Sequence, residues 1–378
     1  MPRHGVFVEN RLRHLLQSGK VESRVVAPVP WFPFKSSSFG EYGRFANVPA
    51  FESRHGVDIQ HPKYLLIPKV GMNLTPGFMA HALKKVLKQV IEDGYDFDLI
   101  DAHYFYPDGV AIAKVAEELG KPFVITARGT DLNLIPQYSK PRAMIQWAAS
   151  KANAMITVCQ ALKDVLVELG VESERVHVLR NGVDLALFTP PNDREALRDN
   201  LGISDKTILS VGHLIERKGH DLVIKSLTEM PGVKLLIAGD GEEEANLIKL
   251  VTDHGLTNRV TFLGAIPHQQ LRDYYGAVDA MILASSREGW ANVLLESMAC
   301  GTPVVATSIW GTPEVVATPE AGVLVDRDPH SIAQGVMQLF QNYPNRDATR
   351  LYAEKFSWDD TTKGQLDLFS KILSETNR

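Results

Sequence analysis

The sequence predicts an α/β protein made of two doubly wound domains. From about residue 95 onward, short apolar runs alternate with segments of helical periodicity. Runs that are apolar on both faces and separated by helices are typical of parallel sheets. The runs form two series, and the segment "GVDLALFTPPND", near residues 182 to 195, lies between them. We therefore expect two parallel sheets that face each other across a cleft.

Each series supplies the strands of one sheet. The first series consists of "FDLIDAH", "KPFVITARG", "ANAMITV" and "RVHVLRNG". The second series consists of "KTILSVGH", "VKLLIAGDG", "RVTFLG", "VDAMILASS", "TPVVATS" and "AGVLVD". Ligands of doubly wound sheets bind at the carboxyl ends of the strands. A functional site is therefore expected in the turns that follow these runs.

The two series also place the domain borders. Residues 1–188 and a C-terminal helix at 356–378 are predicted to form the first domain, and residues 189–355 the second. The C-terminal segment "FSWDDTTKGQLDLFSKILSE" has apolar residues at helical spacing, with Asp359 or Asp360 near the start. Residues 30–78 are rich in proline, glycine and aromatic side chains, so a long irregular excursion is expected there.

The composition limits the classes of function. The chain has 378 residues, 44% of them hydrophobic, which is enough to build about two domain cores. The net charge of −5 argues against a large nucleic-acid surface, so any anion site must be local. Cys159 and Cys300 are far apart and neither has a CxxC partner. We therefore expect neither a disulfide scaffold nor a zinc site.

The sequence also bears on membranes. The segment "MPRHGVFVENRLRHLL" carries charges throughout and lacks the apolar core of a signal peptide. No apolar run reaches the roughly 20 residues that span a bilayer. We therefore expect a cytoplasmic protein. The segment "FMAHALKKVLKQVI" has lysines on one side and apolar residues on the other. Two interpretations stay open for it, a helix that covers a sheet and a helix that rests on an anionic membrane.

Two adjacent cations follow one predicted strand. In "GHLIERKGHDLVIKSL", Arg217 and Lys218 lie in the turn before a helix that starts near Gly219. Arginine offers a bidentate fork, lysine offers a compact charge, and a helix N-terminus attracts anions. This turn is therefore suited to a diphosphate. The alternative is a solvated pair of surface cations.

The segment "EGWANVLLE" places two carboxylates around another predicted helix start, near Trp290. Gly289 permits close approach of a ligand to the backbone, and free amides of the first helical turn can donate to phosphate oxygens. Glu288 in the turn and Glu296 two turns into the helix can accept hydrogen bonds from sugar and ribose hydroxyls. The alternative is that Glu288 only complements the helix dipole.

Residues 200–355 resemble the donor-binding domain of the retaining family-4 glycosyltransferases, which have the GT-B fold. The resemblance is carried by "SVGHLIERKG", "LLIAGDGEE", "VTFLGAIPHQQLRDYYGAVDAMILASSREGWANVLLESMACGTPVVAT" and "GTPEVV". It implies two Rossmann-like domains and a nucleoside diphosphate sugar as donor substrate, with no other cofactor and no metal. It also implies that Arg217 and Lys218 neutralise the leaving diphosphate. Glu288 would hold the donor sugar and Glu296 the ribose.

The resemblance further implies which residues form the site. The implied catalytic residues are His103, Arg217, Lys218 and Glu288. The implied contacts of the nucleotide sugar are Gly5, Gly212, Arg217, Lys218, Gly264, Ile266, Glu288, Gly289, Trp290, Ala291, Asn292, Val293 and Glu296. The base is expected to stack near "FLGAIPH" and to bond to the backbone there.

The first half of the chain is similar to the same family through "DLIDAHYFYPDGVAIAKVAEELGKPFVITARGTDLN" and "RHGVFVENRLRHL". The similarity implies that His103 lies at the reacting sugar and that the loop at Gly5 touches the phosphates. It places Arg128 and Asp131 at the acceptor. The alternative for His103 is a hydrogen-bonded structural role at a strand end. Family members begin with a strand that leads into the glycine loop, whereas this sequence starts at "MPRHGVFVEN", so the first, central strand is expected to be missing.

The expected activity is metal-independent transfer of a hexose-like sugar to an acceptor hydroxyl, with retained configuration, in the synthesis of a cell-surface glycan or glycolipid. A glycan or a lipid-linked sugar is the expected acceptor, met at the inner face of the membrane. Two alternatives remain, a nucleotide-sugar epimerase or hydrolase on the same fold and a non-catalytic nucleotide-sugar binder. The motif "DFD" at 96–98 precedes a buried strand instead of following one, so it does not predict a metal site.

Overall fold

The computed structural model describes residues 6–67 and 71–376. Gly5, an implied contact of the donor phosphates, lies outside the described residues. The chain divides into two compact units. The first consists of the residues up to Val158, Leu162–Leu179 and the residues from Thr362, and the second of Cys159–Ala161 and Arg180–Thr361. The predicted domain borders at 188/189 and 355/356 lie close to these divisions and stay a prediction.

The proline- and aromatic-rich excursion of the first unit is less irregular than predicted. After helix α1 (Val6–Gln17) come the strands β1 (Val25–Val26), β2 (Val29–Trp31), β3 (Phe51–Arg54), β4 (Val57–Gln60) and β5 (Lys63–Leu65), with helix α2 at Gly40–Ala46. β1, β4 and β3 form one small sheet, and β2 and β5 form another. These strands are two to four residues long. Such strands are too short for an alternating pattern to reveal them in the sequence.

The first series of apolar runs forms one parallel sheet. Its strands are β6 (Ile100–His103), β7 (Phe123–Ala127), β8 (Ala154–Thr157) and β9 (Val176–Val178), and they pair in chain order. Every residue of β7 and β8 is buried, as expected for strands covered on both faces. The predicted strands of this series are therefore confirmed.

Helices connect these strands. They are α3 (Thr75–Glu92), α4 (Val110–Leu119), α5 (Thr130–Asn133), α6 (Ser139–Lys151) and α7 (Gln160–Glu168). The segment with lysines on one side lies in α3, where Met79, Leu83 and Leu87 are buried and the helix packs against α4. The apolar side of α3 is therefore covered by protein. Lys85 and Lys88 are exposed.

The second series of apolar runs forms a six-stranded sheet in which every pair of neighbours is parallel. In chain order the elements are α8 (Arg194–Asn200), β10 (Thr207–Val211), α9 (His220–Ser226), β11 (Lys234–Ala238), α10 (Glu244–Asp253), β12 (Val260–Gly264), α11 (Leu271–Ala277), β13 (Ala280–Leu283), α12 (Asn292–Ala299), β14 (Val304–Thr307), α13 (Thr312–Val315), β15 (Gly322–Val325), α14 (Pro329–Gln341), α15 (Arg346–Glu354) and α16 (Trp358–Thr376). All six predicted strands of this series are confirmed.

The order of the strands in this sheet determines where a ligand can bind. The order is β12-β11-β10-β13-β14-β15. The chain runs outward from β10 to β12, then returns to β13 beside β10 and runs outward in the other direction. The turns after β10 and β13 therefore leave the sheet toward opposite sides and open a crevice between them, which is the topological switch point of a doubly wound sheet.

The predicted C-terminal helix is confirmed. It is α16, which has Asp359 and Asp360 in its first turn. Cys159 and Cys300 are buried. Within the described ranges, no helix is both long and apolar enough to cross a bilayer.

Candidate functional site

The turn after β10 is held tightly against the end of β13. Glu216–Lys218 forms a single 3₁₀ turn, and Gly219 follows it at φ 69°, in the left-handed region that favours glycine. A Cβ atom on Gly219 would lie 2.2 Å from the carbonyl oxygen of Ala284. Glycine at this position therefore brings the backbone of the cationic turn into direct contact with the chain leaving β13. Arg217 and Lys218 lie in the predicted place.

Hydrogen bonds fasten the two turns of the switch point together. The amide of Ser286 donates to the carbonyl of Arg217 at 2.9 Å. The Arg217 guanidinium in turn donates to the carbonyl of Arg287 at 2.6 Å. Arg327, just after β15, adds bonds to the carbonyls of Ala284 (3.0 Å) and Glu216 (3.3 Å). The relative position of the two turns is therefore fixed by one backbone bond and by two arginine side chains that donate to backbone carbonyls.

This arrangement brings Lys218 and Glu288 together. The Lys218 ammonium donates to Glu288 Oε1 at 2.6 Å, and Arg217 Nη1 lies 3.6 Å from the same oxygen. Burial opposes ionisation of Glu288, but the charge and the hydrogen bond of Lys218, with the charge of Arg217, outweigh it, so the pKa of Glu288 lies below its ordinary value. The carboxylate is therefore ionised at neutral pH and acts as a hydrogen-bond acceptor.

The helix that follows Glu288 begins later than the sequence indicates. α12 starts at Asn292, not near Trp290, so Glu296 lies little more than one turn into it. The Trp290 side chain, just before the helix, is buried and donates from Nε1 to the carbonyl of Asn181 at 3.0 Å. Ala291, at the N-cap, makes no side-chain cap bond, and Asn292 Oδ1 is buried without a hydrogen-bond partner. The first turn of α12 is therefore not capped by its own N-cap side chain.

Glu296 lies in a second cluster on the same helix. Its Oε1 is 2.8 Å from His268 Nε2, and its Oε2 accepts a bond from the Tyr275 hydroxyl at 3.3 Å. Only 4% of Glu296 is exposed. No local pattern signals His268 or Tyr275 as partners, because they lie 28 and 21 residues before Glu296. Arg327 lies two residues after the end of β15, and a cation just after a predicted strand is a signal that sequence analysis could have used.

The remaining predicted donor contacts lie around these clusters. Gly212 directly follows β10, and its amide donates to the carbonyl of Ala238 at 3.0 Å. Gly264 ends β12, and its carbonyl accepts from the amide of Gly239 at 2.8 Å. Ile266 is half-buried two residues later. The contacts of these residues, and of Gly289 and Val293, with a nucleotide stay predictions.

In the first unit, His103 is the last residue of β6 and Arg128 directly follows β7. Their side chains are in contact. Arg128 Nη2 donates to His103 Nδ1 at 2.8 Å, and His103 Nε2 lies 3.6 Å from Asp101 Oδ2. Burial, with the charges of Arg128 and Arg11, holds the pKa of His103 well below its ordinary value. The ring is therefore neutral. Since Nδ1 accepts a bond, the proton lies on Nε2, which can donate to a ligand oxygen.

Asp131 is bonded to the backbone. Its carboxylate accepts from the amides of Phe105 (2.8 Å), Gly129 (2.7 Å) and Arg128 (3.1 Å). These bonds tie together the turns that follow β6 and β7, and only 2% of Asp131 is exposed. The observed contacts are thus those of a residue that positions Arg128. A contact of Asp131 with the acceptor stays a prediction.

Arg11 is a buried residue that sequence reasoning missed. Its guanidinium donates to Gln365 Oε1 at 2.9 Å and to the carbonyl of Leu179 at 3.2 Å, while Gln365 donates to Asp101 at 2.7 Å. Burial raises the pKa of Asp101 to about 6, against the opposing charges of Arg11 and Arg128. A chain of polar contacts therefore leads from α1 and α16 to the side chain beside His103.

Across residues 6–67 and 71–376, no group of three or more His, Cys, Asp or Glu side chains is arranged to hold a metal ion. Asp96, from the "DFD" motif, pairs instead with Lys121 at 2.6 Å.

Two family models match the chain in succession. The model described as Glycosyltransferase Family 4 matches residues 5–187, and the model described as Glycosyl transferases group 1 matches residues 193–356. Together they cover most of the sequence.

Individual proteins with similar sequences carry glycosyltransferase names. The Bacillus subtilis glycosyltransferase TuaC, named for teichuronic acid biosynthesis, is 29% identical over 345 residues, which are 89% of this chain and 84% of that protein. A D-inositol 3-phosphate glycosyltransferase of Mycolicibacterium smegmatis is 32% identical over 241 residues, which are 61% of this chain and 55% of that protein.

Solved structures show the same fold. Sucrose-phosphate synthase from Thermosynechococcus elongatus matches with a TM-score of 0.81 and 19% identity, over 99% of this chain and 94% of that chain. Anabaena HepE in complex with UDP matches with a TM-score of 0.71 and 23% identity, over 84% of this chain and 87% of that chain. The chain has the GT-B fold and belongs to the group 1, family 4 glycosyltransferases.

Proposed function

We propose that this protein is a retaining glycosyltransferase that moves a sugar from a nucleoside diphosphate sugar to an acceptor hydroxyl. The observation that carries the proposal is the contact of Lys218 and Arg217 with Glu288. These residues lie at the switch point of the second unit's sheet, where ligands of doubly wound sheets bind. Cations and a carboxylate at one point suit a ligand that has both phosphates and hydroxyls.

The reaction places its charge where these cations lie. As the diphosphate departs, negative charge builds on its oxygens while the sugar becomes oxocarbenium-like. Lys218 and Arg217, held in place before reaction, stabilise that charge without having to reorganise. The Lys218 ammonium has three donors, so it can bond to Glu288 and to phosphate oxygens together. In our proposal the donor phosphate takes the acceptor's proton, and attack occurs on the face that the phosphate leaves.

The rest of the donor is assigned to the neighbouring groups. Glu288 accepts hydrogen bonds from the sugar hydroxyls, and Glu296 accepts them from the ribose. Amides of the first turn of α12 donate to the phosphates, and the backbone near Ile266 bonds to the base. The HepE structures contain UDP and UDP-glucose, which supports testing uridine nucleotides first.

The first unit is proposed to receive the acceptor. His103 presents its Nε2 proton to the reacting sugar, Arg128 and Asp131 flank the acceptor, and the loop at Gly5 touches the phosphates. We propose a glycan or lipid-linked acceptor. The name of the relative TuaC, which refers to teichuronic acid biosynthesis, supports a glycan.

The test begins with the donor. A thermal-shift screen of UDP-glucose, GDP-mannose and ADP-glucose identifies the nucleotide, since a ligand stabilises the protein by mass action. The labelled donor is then incubated with a glycan and glycolipid panel, with and without EDTA, and the product is examined by NMR. We expect transfer that resists EDTA and keeps the anomeric configuration. Inverted product contradicts the mechanism, sugar released to water indicates a hydrolase, and binding without transfer indicates the non-catalytic alternative.

Membrane contact at the inner face is a further part of the proposal. Lys85 and Lys88 on the exposed side of α3 supply the charge for an anionic surface. We expect the protein to sediment with vesicles that contain phosphatidylglycerol but not with pure phosphatidylcholine, and Lys85→Glu with Lys88→Glu to abolish the sedimentation. Lys249→Glu, in the second unit and 74% exposed, is the matched control. Equal sedimentation with both kinds of vesicle, or none, contradicts this contact.

A further inference from the structure

The Glu296 carboxylate is covered by a histidine. His268 lies in the turn between β12 and α11, and its Nε2 is 2.8 Å from Glu296 Oε1. The Phe188 ring meets the His268 ring edge-on, with 5.2 Å between the ring centroids. The imidazole is thus held over the carboxylate by a hydrogen bond on one side and an aromatic contact on the other.

The three polar residues of this cluster, His268, Glu296 and Tyr275, differ in their exposure to solvent. The His268 side chain is 36% exposed, whereas Glu296 is 4% exposed and Tyr275 is fully buried. The Tyr275 hydroxyl approaches the other carboxylate oxygen from the protein interior. The imidazole therefore lies between Glu296 Oε1 and solvent.

We propose that His268 closes the ribose subsite and is displaced when a nucleotide binds. This inference rests on the proposed function, in which Glu296 accepts two ribose hydroxyls. Those hydroxyls and the imidazole N–H compete for the same face of one carboxylate. His268 is therefore a determinant of nucleotide affinity, through a bond that must break before the nucleotide's bonds form.

The competition depends on pH. The hydrogen bond to Glu296 raises the pKa of His268; burial opposes this shift, and the charges of Glu296 and Asp184 add to it. Two further titratable groups near this carboxylate, Tyr275 and Cys300, stay neutral. Burial raises the pKa of Tyr275 well above its ordinary value and the pKa of Cys300 to about 12. Once displaced into water, His268 returns toward its ordinary pKa of about 6.5. Its proton is held more tightly before binding than after, so nucleotide binding releases protons.

The direction in which nucleotide affinity changes with pH follows from the difference between the His268 pKa before and after binding. Affinity for the nucleotide is weakest below the ordinary histidine pKa, where His268 is charged with or without ligand. It rises with pH up to the raised pKa of the free protein, and levels off above it. Proton release is largest between these two pKa values.

The experiment is isothermal titration calorimetry with UDP, GDP and ADP, in MES and in bis-Tris at pH 6 and in HEPES and in Tris at pH 8. The two buffers at each pH differ in ionisation enthalpy. The wild type is expected to release protons in excess of those from the nucleotide phosphate itself. His268→Ala is expected to lose this excess and to bind about tenfold more tightly at pH 6, since a bond to a charged group is broken. His268→Gln keeps a competing N–H donor but cannot titrate, so its affinity is expected to lack the excess rise with pH.

Controls separate the outcomes. His330→Ala removes another histidine that is paired with a glutamate, at 2.7 Å from Glu229 and on the surface of the same unit, and it is expected to behave as wild type. The His268 resonances, followed by NMR with and without nucleotide, give the displacement without any substitution. If wild type and His268→Ala bind the nucleotide with equal affinity and release equal numbers of protons, while Glu296→Ala no longer binds it, this inference alone is overturned. Binding that survives Glu296→Ala, or no binding of any nucleotide, overturns the proposed ribose site and this inference with it.

Discussion

Lys218→Ala is expected to lower the rate of sugar transfer by about 10²- to 10³-fold, the usual cost of losing one group that stabilises transition-state charge. Lys218 approaches Glu288 at 2.6 Å and is largely buried, with 15% of its side chain exposed. Glu288→Ala is expected to cost a similar factor, because the donor sugar loses its acceptor and Lys218 loses the bond that orients it. Turnover of both variants with the donor from the thermal-shift screen is the measurement.

The chain offers matched controls for both substitutions. Lys225→Ala, on the next helix, removes a lysine that pairs with Asp221 across one helical turn at the surface. Glu195→Ala removes a glutamate that is 82% exposed. Both controls are expected to keep near-normal rates, since exposed ion pairs contribute little. Near-normal rates in Lys218→Ala or Glu288→Ala would remove the basis of the proposed mechanism.

The second large effect concerns Gly219. Gly219→Ala is expected to destabilise the second unit by about 2–5 kcal/mol, which combines the left-handed backbone strain of a non-glycine residue with overpacking. The added Cβ would lie 2.2 Å from a backbone oxygen of Ala284, which cannot swing aside as a side chain can. Urea unfolding measures the loss. Transfer activity is expected to fall as well, because the cationic turn must move away from Glu288.

A second glycine separates the two causes. Gly255 has φ 66°, nearly the φ of Gly219, but a Cβ atom there would meet nothing within 4 Å. Gly255→Ala is therefore expected to show only the backbone strain of about 1–2 kcal/mol and to keep transfer activity. If Gly219→Ala and Gly255→Ala lower the free energy of unfolding equally, close packing of the turn on β13 does not contribute to stability.

The sequence predicted the two sheets, and which turns carry the candidate site residues, for identifiable reasons. Five strands, β7, β8, β10, β13 and β14, are buried along their whole length, so each left a continuous apolar run bounded by turns. The turn with Arg217 and Lys218 and the turn with Glu288 each follow such a run. A local pattern was therefore enough to find each half of the switch point.

Other features depend on contacts that local pattern does not encode. Lys218 and Glu288 are 70 residues apart, so their ion pair is a property of the strand order. The predicted start of α12, near Trp290, was two residues too early, and Trp290 instead contacts the distant Asn181. The strands of the excursion were missed because they are too short to show a period. The pairing of Arg11 with Gln365 joins residues 354 apart, near the two ends of the chain.

The contact between Lys218 and Glu288 has a consequence for selectivity. In this contact one carboxylate offsets part of the charge of two cations, so a lone inorganic phosphate meets a weakened attraction. Under the proposed function, a sugar that arrives with the diphosphate engages the carboxylate with its hydroxyls and leaves the ammonium freer to turn toward the phosphates. Binding of the sugar thereby strengthens binding of the diphosphate leaving group. A phosphate or diphosphate that arrives without the sugar lacks this effect.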